Sequence, residues 1–155
     1  MRHENWIWLD MDGTIANLYS VDNWLADLRA HMVRPYAEAA PIYNVYELLT
    51  VLAELKTKGY NIGVISWSSK ENNPAFDREV EKAKREWLIK YDLDLILDKI
   101  IVTAYGIKKA NTCRKYGAGI LVDDEKQNRD TWDLGNTIDA NENIIKKLWD
   151  LARNS

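Results

Sequence analysis

Along this chain, short apolar runs that stop abruptly on polar residues alternate with longer segments whose apolar residues recur every three or four positions. That alternation restricts the fold more than any other feature. A short apolar run bounded by turn residues reads as a strand buried on both faces, and three-to-four spacing reads as an amphipathic helix. Strands that alternate with helices become parallel neighbours joined by helical crossovers. The expected fold class is therefore α/β: a three-layer, doubly wound, Rossmann-like parallel sheet. The 155 residues, 46% of them apolar, provide for one such core. No repeat, low-complexity tract or Pro/Gly/Ser linker marks a second domain.

The first strand is Trp6 to Leu9, ending on Asp10-Met11-Asp12-Gly13-Thr14. Val21, Trp24, Leu25, Leu28 and Met32 predict a short helix over 21–32, with Pro35 as its stop. Asn44 and Glu47 have capping-box spacing ahead of a helix over 44–58, with Gly59 at its C-terminal cap. A second strand over 60–65 ends at Ser66-Trp67-Ser68-Ser69. Asn73-Pro74 opens a helix over 74–90 with Phe76, Val80, Ala83 and Trp87 on one face. A third strand over 99–103, a helix over 109–116 and a fourth strand over 119–122 ending at Asp123-Asp124 come next. Thr137 and Ile138 form a fifth strand before a helix carrying Ile144, Ile145, Leu148 and Leu151. Residues 16–43 break the alternation and read as an insertion between the first and second strands.

Composition excludes several classes. Against 24 acidic side chains stand 21 Lys and Arg, a net charge of −3 that gives no general affinity for nucleic acid or anionic membrane. No apolar run approaches the ~18 residues of a membrane span. The single cysteine, Cys113, has no disulfide partner, and no Cys/His cluster offers zinc a site, so the expectation is a reduced, soluble, cytoplasmic protein.

In open α/β sheets ligands bind beyond the carboxyl ends of the strands. The polar residues that end the apolar runs are Asp10 and Asp12, Ser66, and Asp123 with Asp124; Lys108 and Lys109 precede the fourth strand. Carboxylates gathered at one edge repel one another unless a cation neutralises them. An all-oxygen donor set without His or Cys favours magnesium.

This ordered set resembles the four motifs of the haloacid dehalogenase superfamily over residues 5–124: Asp10-Met11-Asp12-Gly13-Thr14, then Ser66, then a lysine, then Asp123-Asp124. The resemblance implies a magnesium-dependent phosphatase in which Asp10 is the nucleophile that forms an aspartyl-phosphate and Asp12 the general acid and base. Magnesium would be held by Asp10, the backbone carbonyl of Asp12, and Asp123 or Asp124. Ser66 would donate to a phosphoryl oxygen, and Gly13 and Thr14 would shape the turn. Trp67 would border the site. Lys109, which starts a helical run fourteen residues before Asp123, is preferred over Lys108 as the charge-balancing lysine.

The insertion at 16–43 is then a small cap that leaves the site open to small phosphorylated metabolites, nucleotides or nucleic-acid ends. The short cap and Asp-Asp ending look most similar to the 5'(3')-deoxyribonucleotidase-like phosphatases. Tyr19, Trp24, Tyr36, Tyr43 and Tyr46 lie in or beside the insertion; they read first as packing and second as stacking partners for a base. His3 and His31 fall outside all motifs. The alternative from another class is a catalytically silent or phospho-accepting regulatory protein on the same fold.

Overall fold

The computed structural model describes residues 4–155, so His3 lies outside the described residues. Five strands form one parallel sheet: β1 (Trp6–Leu9), β2 (Asn61–Trp67), β3 (Lys99–Thr103), β4 (Gly119–Asp123) and β5 (Thr137–Asp139), in the order β3-β2-β1-β4-β5. The chain runs outward from β1 through β2 to β3, then returns to β4 on the other side of β1. The order reverses between β1 and β4, and in sheets of this kind that crevice is where ligands bind. Asp10 and Asp123 end these two strands in adjacent register, with Leu9 opposite Val122 and Asp10 N–H donating to Val122 O at 2.9 Å.

Seven α-helices are described: α1 (Trp24–Arg29), α2 (Arg34–Glu38), α3 (Val45–Thr57), α4 (Pro74–Lys90), α5 (Lys109–Cys113), α6 (Lys126–Asp130) and α7 (Ile144–Arg153). None is long and apolar enough to cross a membrane. The pleat of β1 divides its side chains between two cores. Ile7 and Leu9 pack with Val51, Leu52 and Leu55 of α3 and Leu148 of α7, whereas Trp8 packs with Cys113 of α5, Leu121 and Trp132. Helices therefore cover both faces, giving the three layers expected.

Several expected elements have the bounds read from sequence. Asn44 caps α3 by accepting from Glu47 N–H at 3.1 Å, and Asn73 caps α4 by accepting from Phe76 N–H at 2.9 Å. Others differ for identifiable reasons. The helix expected over 21–32 is only Trp24–Arg29, because Asn23 and His31 adopt left-handed backbone at its two ends and Met32 N–H turns back to Asp27 O. Pro35 does not simply stop that helix; it lies in the first turn of α2, where its missing N–H costs nothing. Strand β2 runs two residues past the expected end, since Ser66 and Trp67 pair with Val102 and Thr103. The expected helix over 109–116 is five α-helical residues followed by a 3-10 turn, and α6 is an element that the spacing of apolar residues does not predict.

The segment between β1 and α3 packs on the first half of α4, with Leu18, Leu28 and Tyr36 against Phe76, Val80 and Ala83. Arg34 stitches its two helices together, bonding Asp27 at 2.6 Å and Glu38 at 2.7 Å. His31 stacks on Phe76.

Gly63 in β2 is required by a neighbour: Trp8 lies across it in register, and a Cβ there would run into the indole ring. Gly63→Ala is expected to lower stability by about 1–3 kcal/mol through overpacking. An unchanged denaturant midpoint would refute that packing account. Cys113 is fully buried, and burial pushes its thiol up to about 12 although Lys109 pulls the other way. Because only the thiolate reacts, native protein at pH 8 is expected to leave Cys113 unlabelled by a maleimide while urea-unfolded protein labels fully.

Candidate active site

Strand β1 ends by delivering Asp10 into the crevice, and the chain turns at once. Gly13 takes φ +80°, a backbone conformation that L side chains rarely adopt, and the carboxylate of Asp124 occupies the space a Cβ would need. The turn folds Thr14 back so that its hydroxyl donates to Asp10 Oδ2 at 2.9 Å. Lys109 Nζ donates to the other oxygen, Asp10 Oδ1, at 2.8 Å and to Asp123 Oδ2 at 2.7 Å. Of the two adjacent lysines, Lys109 is 2% exposed and joins the carboxylates, while Lys108 is exposed ahead of α5. Burial acts to lower the Lys109 ammonium, but Asp10 and Asp123 outweigh it and raise it well above the ordinary lysine range.

The adjacent aspartates at the end of β4 are used differently. Asp123 is fully buried: Oδ2 accepts from Lys109 and from Asn128 Nδ2 at 3.2 Å, and Oδ1 accepts from Glu125 N–H at 2.9 Å. Arg129 of α6 also donates to its backbone carbonyl at 3.0 Å. Asp124 lines the cavity, and its Oδ1 is buried without a hydrogen-bond partner. Burial, Asp10 and Asp123 together push the Asp124 carboxyl far above the usual carboxylate range.

Asp10, Asp123 and Asp124 each offer an oxygen, and these lie within 4.8 Å of one another. When ionised, the four aspartates against Lys84 and Lys109 leave two negative charges, which one divalent cation balances. The orphaned Asp124 oxygen and the all-oxygen donors fit a hard cation such as magnesium.

Asp12 points elsewhere. Its Oδ2 accepts from Lys84 Nζ at 2.8 Å, and Lys84 also donates to Ser66 Oγ and Trp67 O, each at 2.7 Å. Burial raises the Asp12 carboxyl; Lys84 opposes that without cancelling it. Lys84 is a site residue that the sequence motifs do not contain. Its signal in the sequence is a lysine four residues after Val80 on the apolar stripe of α4, a position where an unpaired charge is almost never found.

Above these groups opens a cavity of about 650 Å³, within the ordinary range for small-molecule sites. Asp10, Asp12, Lys109 and Asp124 are among its charged lining, with Arg29, Lys70, Glu71 and Glu125, and Tyr19, Trp24, Tyr36, Trp67 and Tyr105 form aromatic walls. Trp67 is anchored by Nε1 donating to Ile107 O at 2.7 Å and packs on Tyr105. Tyr43 and Tyr46 do not share this cavity: Tyr43 bonds Glu142 O from outside, and Tyr46 is 79% exposed.

No family model and no curated protein sequence matches the chain. Among solved structures, it is similar to the D,D-heptose 1,7-bisphosphate phosphatase from Burkholderia thailandensis. The TM-score is 0.58 at 12% identity, over 96% of this chain and 98% of that one. The likeness establishes a haloacid-dehalogenase-like fold.

Removing Lys109 leaves Asp10 and Asp123 buried without their shared cation. Lys109→Met is expected to cost about 3–5 kcal/mol of stability, measured by urea unfolding; a loss under about 1 kcal/mol would mean that the two carboxyls do not depend on it.

Proposed function

We propose that the protein is a magnesium-dependent phosphomonoester hydrolase working through an aspartyl-phosphate, with nucleotides or nucleic-acid terminal phosphates as substrates. The observation that carries this reading is the pair Asp10 and Asp124 at one cavity floor. One carboxylate is fixed through both oxygens by Thr14 and Lys109, and the other keeps an unpartnered buried oxygen. The likeness in fold to a phosphatase supports it.

In the first step a carboxylate oxygen of Asp10 attacks phosphorus, the phosphorus–ester oxygen bond breaks, and Asp12 gives its proton to the leaving oxygen. Burial, by raising the Asp12 carboxyl, favours the protonated form this step needs. In the second step water attacks the same phosphorus and passes a proton to Asp12; the bond to Asp10 breaks and inorganic phosphate leaves. Lys109 offsets charge on Asp10 throughout. Ser66 is the donor we assign to a phosphoryl oxygen, although it is 1% exposed and lies behind the residues that line the cavity: its Oγ accepts from Lys84, and its own proton has only a 3.5 Å contact to Trp67 O.

Asp10, Asp124 and the Asp12 carbonyl would hold magnesium, which when bound supplies positive charge to the phosphoryl oxygens. Asp123, engaged by Lys109, Asn128 and Glu125, supports the site from behind. Residues 16–43 serve as a small cap, contributing Tyr19, Trp24 and Tyr36 to the cavity wall. Those aromatic faces suit a base, since any base can stack on them.

The test is phosphate release from p-nitrophenyl phosphate, nucleoside monophosphates and 3'- or 5'-phosphorylated oligonucleotides, with magnesium or EDTA. Release is expected to need magnesium, to vanish in Asp10→Asn and to fall at least about 100-fold in Asp12→Asn. Magnesium is also expected to raise the melting temperature of the wild type but not of Asp124→Asn. Activity retained by Asp10→Asn would overturn the mechanism, and failure to release phosphate from any nucleotide or oligonucleotide while p-nitrophenyl phosphate is hydrolysed would overturn the substrate class.

A further inference from the structure

We propose that Lys84 is a positioning residue for this reaction, a clasp that anchors to the end of β2 and holds the side chain of Asp12 in the orientation that proton transfer needs. The inference rests on the phosphomonoesterase reading above.

An ammonium group has three N–H donors and no acceptor. In Lys84 all three are used: one on Ser66 Oγ, one on Trp67 O and one on Asp12 Oδ2, at 2.7, 2.7 and 2.8 Å. The side chain is 1% exposed, and the ring of Tyr36 covers the ammonium at 4.8 Å. No donor is left for a phosphoryl oxygen, so Lys84 acts through Asp12 and not on substrate. Two of its bonds fix it to β2, a strand in the middle of the sheet, and the third transmits that fixed position to Asp12 in the turn after β1.

The turn by itself does not determine where Asp12 points. No other side-chain hydrogen bond reaches the Asp12 carboxylate among the described residues, and its side chain is 19% exposed at the cavity. Holding Oδ2 on Lys84 leaves Oδ1 as the oxygen that exchanges a proton with the leaving group and then with water. Without the clasp the carboxyl samples several rotamers, and only a fraction of encounters have the acid within reach. Lysine burial on an apolar helix face carries a desolvation cost, and here the cost is offset by three short hydrogen bonds, one of them an ion pair with Asp12.

The experiment is a double-mutant cycle between Lys84→Met and Asp12→Asn, with first-step rates measured on an alkyl phosphate and on p-nitrophenyl phosphate. The alkyl leaving group requires a proton, and p-nitrophenolate leaves without one. Lys84→Met is expected to lower the first-step rate constant for the alkyl ester by about 100-fold, the scale of general acid catalysis. KM should change little, and the loss on p-nitrophenyl phosphate should be much smaller. In the Asp12→Asn background the same substitution should cost almost nothing more, because an amide in place of the Asp12 carboxyl no longer transfers the proton that the clasp serves.

A purely structural lesion would slow both esters equally and would add in full to Asp12→Asn; either result overturns the inference. If Lys84→Met does not fold by circular dichroism, Lys84→Gln, which keeps two N–H donors, goes through the same cycle, and the same two results support or overturn the clasp. A wild type inactive on every ester overturns the phosphatase reading and the clasp with it. An active wild type with additive variants overturns the clasp alone.

Discussion

The ammonium group of Lys109, buried between Asp10 and Asp123, joins the ends of the two strands that flank the reversal in strand order. Three segments remote in sequence meet there: the turn after β1, the first residue of α5 and the last residue of β4. Burial and the neighbouring Asp10 raise the Asp123 carboxyl, and Lys109 is the cation that opposes them. The cation also has no alternative partner in reach of water, being 2% exposed. This one group therefore closes the crevice and sets the nucleophile candidate in a single orientation.

A second lysine repeats the arrangement one strand over. Lys84 reaches from α4 to Asp12, Ser66 and the Trp67 carbonyl, so each aspartate of the Asp-x-Asp turn is hydrogen-bonded to its own ammonium. The same helix carries Phe76, Val80 and Ala83 on which the segment between β1 and α3 packs, and Tyr36 from that segment covers Lys84. The cavity wall and the charged floor thus share one support. The charges stay incompletely balanced only at Asp124, where a buried oxygen lacks a donor, and that is where the electrostatics favour a cation.

Much of this was legible in the residues. The strands, the caps at Asn44 and Asn73 and the long helices follow from spacing and local hydrogen bonding, and those are properties of near neighbours in the chain. Elements failed to match where a few backbone angles decided the outcome. His31 ends α1 in left-handed backbone although nothing in its residue type demands it, and β2 continues through Ser66 because β3 offers it partners. The short helix α6 has no apolar period of its own and is held by its contacts to β4 and β5 through Asn128 and Arg129.

The sequence by itself determined the α/β class, the order of the elements and the presence of Asp10, Asp12, Ser66, Asp123 and Asp124 at strand ends, because periodicity and turn residues are written locally. Only the tertiary structure decided between adjacent residues of like chemistry. Lys109 is buried on Asp10 while Lys108 is exposed, and Asp123 faces Lys109 and Asn128 while Asp124 faces the cavity. Successive side chains point in different directions, and which direction leads to an ion partner depends on strands brought together from far along the chain. Lys84 belongs to the same class: its charge reads as an anomaly on an apolar helix face until the fold supplies Asp12, Ser66 and Trp67 as its acceptors.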